Sequence, residues 1–276
     1  MLARFFSFAS LLAIGLLSGC TDVVDVDLPD PEPQLAVEGN ITDQPGPYTI
    51  RLTKTGPYFA DQTPPAVRGA ELVLTDNEGA TETLREIEPG QYQTSQLRGK
   101  IGNRYVLTIR TEGQEYRANT EIKRVPEIDR FEQQYKRNET GWSDGYYVLY
   151  NGPELPGVGD YYRFKLYQND TLRNDPDELV VTSDELVDGK YIGDVELTDR
   201  PFRVGDRVRV ELLSLPRDYF FFLNEMFTQI NNVGLFATPP ANVRTNVLNT
   251  NPNGPKAVGY FAGTALRSAS IVIQPE

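Results

Sequence analysis

The stretch RYVLTIRTEGQEYRANTEI, residues 104–122, decides the fold class. Side chains alternate across a strand, so Tyr105, Leu107 and Ile109 share one face of 104–111. Thr111-Glu112-Gly113-Gln114 carries the chemistry of a chain reversal, and beyond it Tyr116, Ala118, Thr120 and Ile122 repeat the period of two. An antiparallel hairpin with one apolar face follows. Working outward from it, further strands are expected at 35–41, 48–53, 70–75, 81–87 and 92–94, punctuated by Asp76-Asn77-Glu78-Gly79 and Glu88-Pro89-Gly90. Seven short strands within 34–122 predict a β-sandwich of immunoglobulin-like or transthyretin-like type, and the pattern alone leaves both topologies open.

Lys123-Arg124-Val125-Pro126-Glu127 reads as a linker, because Pro126 fixes its own backbone and biases Val125 away from helix. Residues 128–276 are then expected to form a second antiparallel β-rich domain, with strands at 131–135, 145–150, 161–168, 257–262 and 269–273. One amphipathic helix belongs near 216–232. Tyr219, Phe222, Leu223, Met226, Phe227 and Ile230 recur at helical spacing, Pro216 suits the first turn, and Asp218 suits the positive end of the helix dipole. Its aromatic stripe is expected to pack across the C-terminal sheet. The chain is therefore mainly β with one packed helix.

The N-terminal run from Leu2 to Gly19 contains Arg4 and no acid, and its apolar core is too short to span a bilayer. It ends in Leu17-Ser18-Gly19-Cys20 and resembles the signal peptide and lipobox of a bacterial lipoprotein. That resemblance makes 1–19 a signal peptide and Cys20 the site of lipid attachment. Residues 20–33, rich in Asp and Pro, read as an extended acidic tether. The formal net charge of −12 disfavours nucleic acid as a partner.

Composition narrows the chemistry further. The sequence has no histidine and Cys20 as its single cysteine, so Ser/His/Asp hydrolysis, His/Cys zinc sites and thiol catalysis lack their groups. The expectation is a protein that is not an enzyme, with no cofactor and no metal. Asp170, Asp175, Asp177, Glu178, Asp184, Glu185 and Asp188 lack the spacing of a calcium loop and read as a solvated acidic loop. Two places suit binding. The long connection GPYFADQTPPAVRG, 56–69, holds Tyr58 and Phe59, which either present an aromatic contact or fold back over the sandwich end. In 161–168, Tyr162, Phe164 and Leu166 form the expected core face. Tyr161 and Tyr167, with Arg163 and Lys165 between them, form either a sugar-stacking or protein-contact stripe or a surface covered by its own basic stems.

Several segments taken in order carry a wider resemblance: the lipobox and its acidic sequel, LAVEGNI (35–41), VRGAELVL (67–74), GQY (90–92), GNRYVL (102–107), VPEI (125–128), and 240–246 leading to GYF (259–261). Together they resemble the DUF4249 lipoproteins of Bacteroidota over nearly the whole mature chain. The resemblance implies an accessory lipoprotein anchored in the outer membrane, in the company of a TonB-dependent transporter active in nutrient uptake. It implies no catalytic residues. It also makes Gly39 and Gly69 strand bends and gives Asn242 and Asn246 the role of tying loop backbone. An independent glycan- or peptide-binding surface module, or a structural spacer, is the alternative.

Overall fold

The computed structural model describes residues 32–56, 63–137, 143–232 and 241–276. Cys20 and all but the last two residues of its tether, and Tyr58 and Phe59, lie outside the described residues. The 104–122 hairpin is present as Arg104–Thr111 (β7) and Gln114–Glu121 (β8), paired from Arg104↔Glu121 to Thr111↔Gln114. Its two turn residues both take positive φ, Glu112 at 50° and Gly113 at 72°, which matches the twist of the flanking strands.

Around this hairpin are Leu35–Thr42 (β1), Thr49–Lys54 (β2), Glu71–Asp76 (β3), Thr81–Thr83 (β4), Arg85–Glu88 (β5) and Gln91–Gln93 (β6). The strand expected at 81–87 is split. Leu84 turns into the core and its amide donates to the Leu72 carbonyl, so β4 pairs with β3 in one sheet and β5 with β6 in the other. The second region contributes Arg130–Lys136 (β9), Gly145–Pro153 (β10), Tyr161–Gln168 (β11), Thr171–Leu172 (β12), Val180–Ser183 (β13), Tyr191–Glu196 (β14) and Arg207–Leu215 (β15). Toward the C-terminus lie Val247–Asn249 (β16), Ala257–Thr264 (β17) and Leu266–Val272 (β18).

The first sandwich pairs the sheets β17-β1-β2-β6-β5 and β16-β8-β7-β3-β4; the second pairs β14-β10-β9 with β12-β11-β15-β18, where β13 also joins β11. All pairings in the second sandwich are antiparallel, as expected. The division of the chain differs from the expected one. β16 and β17 fall within 128–276, yet β16 pairs with β8 and β17 lies parallel to β1 from Leu35↔Ala257 to Thr42↔Thr264. After the single buried residue Ala265 the chain enters the second sandwich as β18. Alternating side chains reveal that 257–262 is a strand but not which edge it completes.

The linker is equally integrated. Val125 and Pro126 are buried, and Arg124 donates to the Asp160 carboxylate at 2.8 Å and to the carbonyls of Pro156 and Gly157. Ser214, with no exposed surface, donates its hydroxyl to the Lys123 carbonyl and accepts the Ala265 amide, both at 2.8 Å. One side chain thus fastens two of the chain crossings between the sandwiches. A continuous buried cluster, from Leu35 and Leu107 through Tyr150 and Leu212 to Ile273, runs through both.

The helix, α1, spans Arg217–Ile230, with Asp218 in its first turn. Only part of its stripe is covered. Leu223 is buried, whereas Phe227 and Ile230 are 36% and 48% exposed, so the N-terminal half does the packing and the expected full-length contact is not formed. Among the described residues no helix is long and apolar enough to cross a membrane.

Candidate functional site

β11 positions the site. Tyr162, Phe164 and Leu166 are buried, so the expected core face is correct. On the opposite face the two candidate tyrosines are already occupied. The Tyr161 ring lies 4.8 Å from that of Phe220 in α1, and the Arg209 guanidinium covers the Tyr167 ring at 3.6 Å. The Tyr167 hydroxyl donates to Glu211 at 3.1 Å. Each ring thus spends a contact on a neighbour within the protein. Between them, Arg163 and Lys165 open onto a cleft of about 750 Å³ that neither tyrosine lines.

Several elements wall this cleft beside β11. The outer face of β1 and β2 supplies Glu38, Asn40 and Arg51; β17 supplies Gly259, Tyr260 and Thr264; α1 supplies Tyr219, Phe222, Leu223 and Met226. The aromatic wall is one cluster, with ring centroids 4.8 Å apart for Tyr219–Tyr260, 5.0 Å for Phe222–Tyr260 and 5.8 Å for Tyr219–Phe222. Burial pushes both tyrosine hydroxyls above their ordinary range. Asn40 and Thr264 hydrogen-bond to each other across β1 and β17, at 3.1 Å. Gly259 is required here: its φ is +88°, and a Cβ would stand 2.1 Å from the Val37 carbonyl oxygen.

The charges are unevenly matched. Arg51 and Glu38 face each other at 4.0 Å on the rim, both well exposed. Burial, reinforced by the neighbouring Arg163, holds the Lys165 ammonium below its ordinary pKa, with Glu211 and Glu38 opposing. Lys165 forms no hydrogen bond or ion pair among the described residues, and the buried Nε of Arg163 has no acceptor.

A second cavity, about 330 Å³ and mainly apolar, lies in the second sandwich among Tyr150, Tyr162, Phe164, Leu186 and Ile192. Glu154 closes one end, its carboxylate accepting from the Tyr162 hydroxyl at 2.6 Å and the Leu155 amide at 3.0 Å. Burial pushes this carboxyl above its ordinary range, and the nearby Asp160 and Asp184 push it the same way. These three acids bring oxygens within 4.8 Å of one another, a donor set of the kind that holds a hard cation. Arg124 already pairs with Asp160, and Asp184 accepts the amides of Gly159 and Asp160, so the cluster is committed to closing its own loops. The expected solvated acidic loop is likewise incorrect in part. Glu178 is buried between Arg173 and Arg200, Arg200 also holds Asp175 at 2.7 Å, and Arg173 lies over Phe202.

Over residues 21–269 the sequence matches the family described as a domain of unknown function, DUF4249. The chain belongs to the DUF4249 family. No curated protein sequence matches it. Among solved structures it is similar to a two-domain fibronectin type-III segment of chicken tenascin, at 15% identity over 66% of this chain and 90% of that one, with a TM-score of 0.21. It is also similar to the adhesin InvE of Yersinia pseudotuberculosis, at 13% identity over 66% of this chain and 55% of that one, again with a TM-score of 0.21.

Within this DUF4249 chain, two of the segments that carried the family resemblance meet at the cleft: LAVEGNI is β1 and GYF is part of β17. Gly39 is no bend; it sits in β1 against Ile50, whose Cδ1 a Cβ would meet at 2.4 Å. Asn246 does tie backbone, donating to the Asn119 and Phe261 carbonyls and accepting the Phe261 amide. Sequence reasoning missed Tyr260 and Glu38 as site residues. The available signal was the pair Arg163 and Lys165, two cations facing the same way on a strand between tyrosines.

Proposed function

We propose that this protein is a non-enzymatic accessory lipoprotein of the outer membrane, anchored through Cys20, that presents a ligand cleft beside a TonB-dependent transporter. The observation that carries the binding role is the cleft itself: preformed, with an aromatic wall and hydrogen-bonding groups held on strands and a helix. The anchor and the Bacteroidota envelope are inferred from Leu17-Ser18-Gly19-Cys20 and its acidic sequel. The transporter is inferred from the family resemblance. The complete lack of histidine favours binding over catalysis.

Metabolic labelling with a palmitate analogue should mark the wild-type chain and leave Cys20→Ser unmarked and released from membranes. Affinity capture from mildly solubilised membranes should co-isolate a β-barrel transporter. A labelled, folded, membrane-bound protein that repeatedly brings down no transporter would overturn the partner and leave the second reading, an independent surface module for a glycan or peptide, which the cleft also supports.

A further inference from the structure

We propose that the cleft between β1, β17 and α1 binds a carboxylate-bearing ring compound, with the carboxylate seated on Lys165 and Arg163 and the ring against Tyr219, Phe222 and Tyr260. This names the ligand class of the cleft proposed above as the ligand site, and rests on that reading.

Charge is the first ground. The chain carries a formal charge of −12, yet the cleft holds Arg51, Arg163 and Lys165 against Glu38 alone. Arg51 and Glu38 face each other on the rim, which leaves the two inner cations uncompensated. Cations withdrawn from water are ordinarily paired, because desolvation is otherwise unreturned. A partner was close at hand: Glu211 lies directly across from Lys165 in the β11–β15 register, but its carboxylate is turned to Arg209 and to the Tyr167 hydroxyl. The fold therefore keeps an ammonium without a hydrogen-bond partner beside a guanidinium on the same cleft wall, and an incoming carboxylate supplies the counter-ion that the ammonium lacks.

Shape is the second ground. The volume of about 750 Å³ suits a small molecule, and the Tyr219–Phe222–Tyr260 cluster supplies an apolar wall opposite the cations. The chain's overall negative charge disfavours an extended polyanion and leaves a compact ligand with one anionic group. The smaller cavity offers the opposite chemistry, since Glu154 at its end repels an anion.

The chemistry is shared by acidic sugars and aromatic acids, and paired probes separate them: galacturonate against galactose, and benzoate against benzamide. Calorimetry on the full chain in detergent micelles should show at least one acid binding about tenfold or more tighter than its neutral counterpart, equivalent to about 1.4 kcal/mol. Lys165→Met should abolish that preference and Lys165→Arg should keep it. A readout that needs no substitution is the pH titration of the Lys165 amine after 13C-methylation. The groups around it are Arg163, Glu211, Glu38, Arg51, Tyr219 and Tyr260. Its pKa should rise when the bound acid is present. If neutral and acidic probes bind alike and Lys165→Met changes nothing, the charge assignment is wrong and the cleft remains a ligand site. If no probe binds and the Lys165 signal never moves, the ligand site falls with it.

Discussion

Ser214 owes its importance to position rather than chemistry. Its hydroxyl bonds both Lys123 and Ala265, and it is fully buried. Ser214→Ala leaves a carbonyl and an amide without this partner and should lower stability by about 1–3 kcal/mol, read as a shift in the urea midpoint at constant slope. Gly259 is constrained differently. Gly259→Ala combines a left-handed φ with a backbone overlap against Val37 and should cost more than about 2 kcal/mol, visible in the same titration. Glu154 adds a pH dependence. Its carboxyl is raised above 4.5 in the folded state, so ionised Glu154 works against folding at neutral pH and this penalty disappears as pH falls below the unfolded value. Glu154→Gln should therefore stabilise the protein at pH 7, with the gain vanishing below about pH 4.5. A substitution that is neutral or destabilising at pH 7 would show that the Tyr162 hydrogen bond outweighs burial.

Among the elements, the β7–β8 hairpin was readable because everything that makes it is local: two alternating strands and a two-residue turn. β15 carries the same signal, with Val208, Val210 and Leu212 inward, but the charged neighbours in RVRVELLSL obscure it. The 81–87 segment shows the limit of the period-of-two argument, since the alternation continues while the chain changes sheet at Leu84. For the site, the basic-aromatic face of β11 was legible, and its fate was not. What covers Tyr161 comes from α1 and what covers Tyr167 from β15, and strand patterning says nothing about neighbours. The contact made by α1 is itself testable. Phe222→Ala should weaken the aromatic wall, whereas Ile230→Ala, nearly half exposed, should alter the thermal midpoint little; comparable losses from the two would mean that the helix packs along its whole length.

At the scale of the whole molecule, two sandwiches share one continuous core, and the chain passes between them at 122–129, between β15 and β16, and at Ala265. They should accordingly unfold together. Far-UV circular dichroism and tyrosine fluorescence should give coincident urea transitions; two separated transitions would show that the shared strands do not couple them. The β1–β17 pairing was beyond sequence patterning because it joins Leu35 to Ala257, with all of the second sandwich except β18 between them. That pairing also sets a timetable for biogenesis. The strand that completes the first-made sandwich follows β1 at long range, so β1 keeps an open edge until residues 257–264 have been made. Until that partner arrives the exposed edge is open to mispairing, the hazard that attends any strand pairing made at long range.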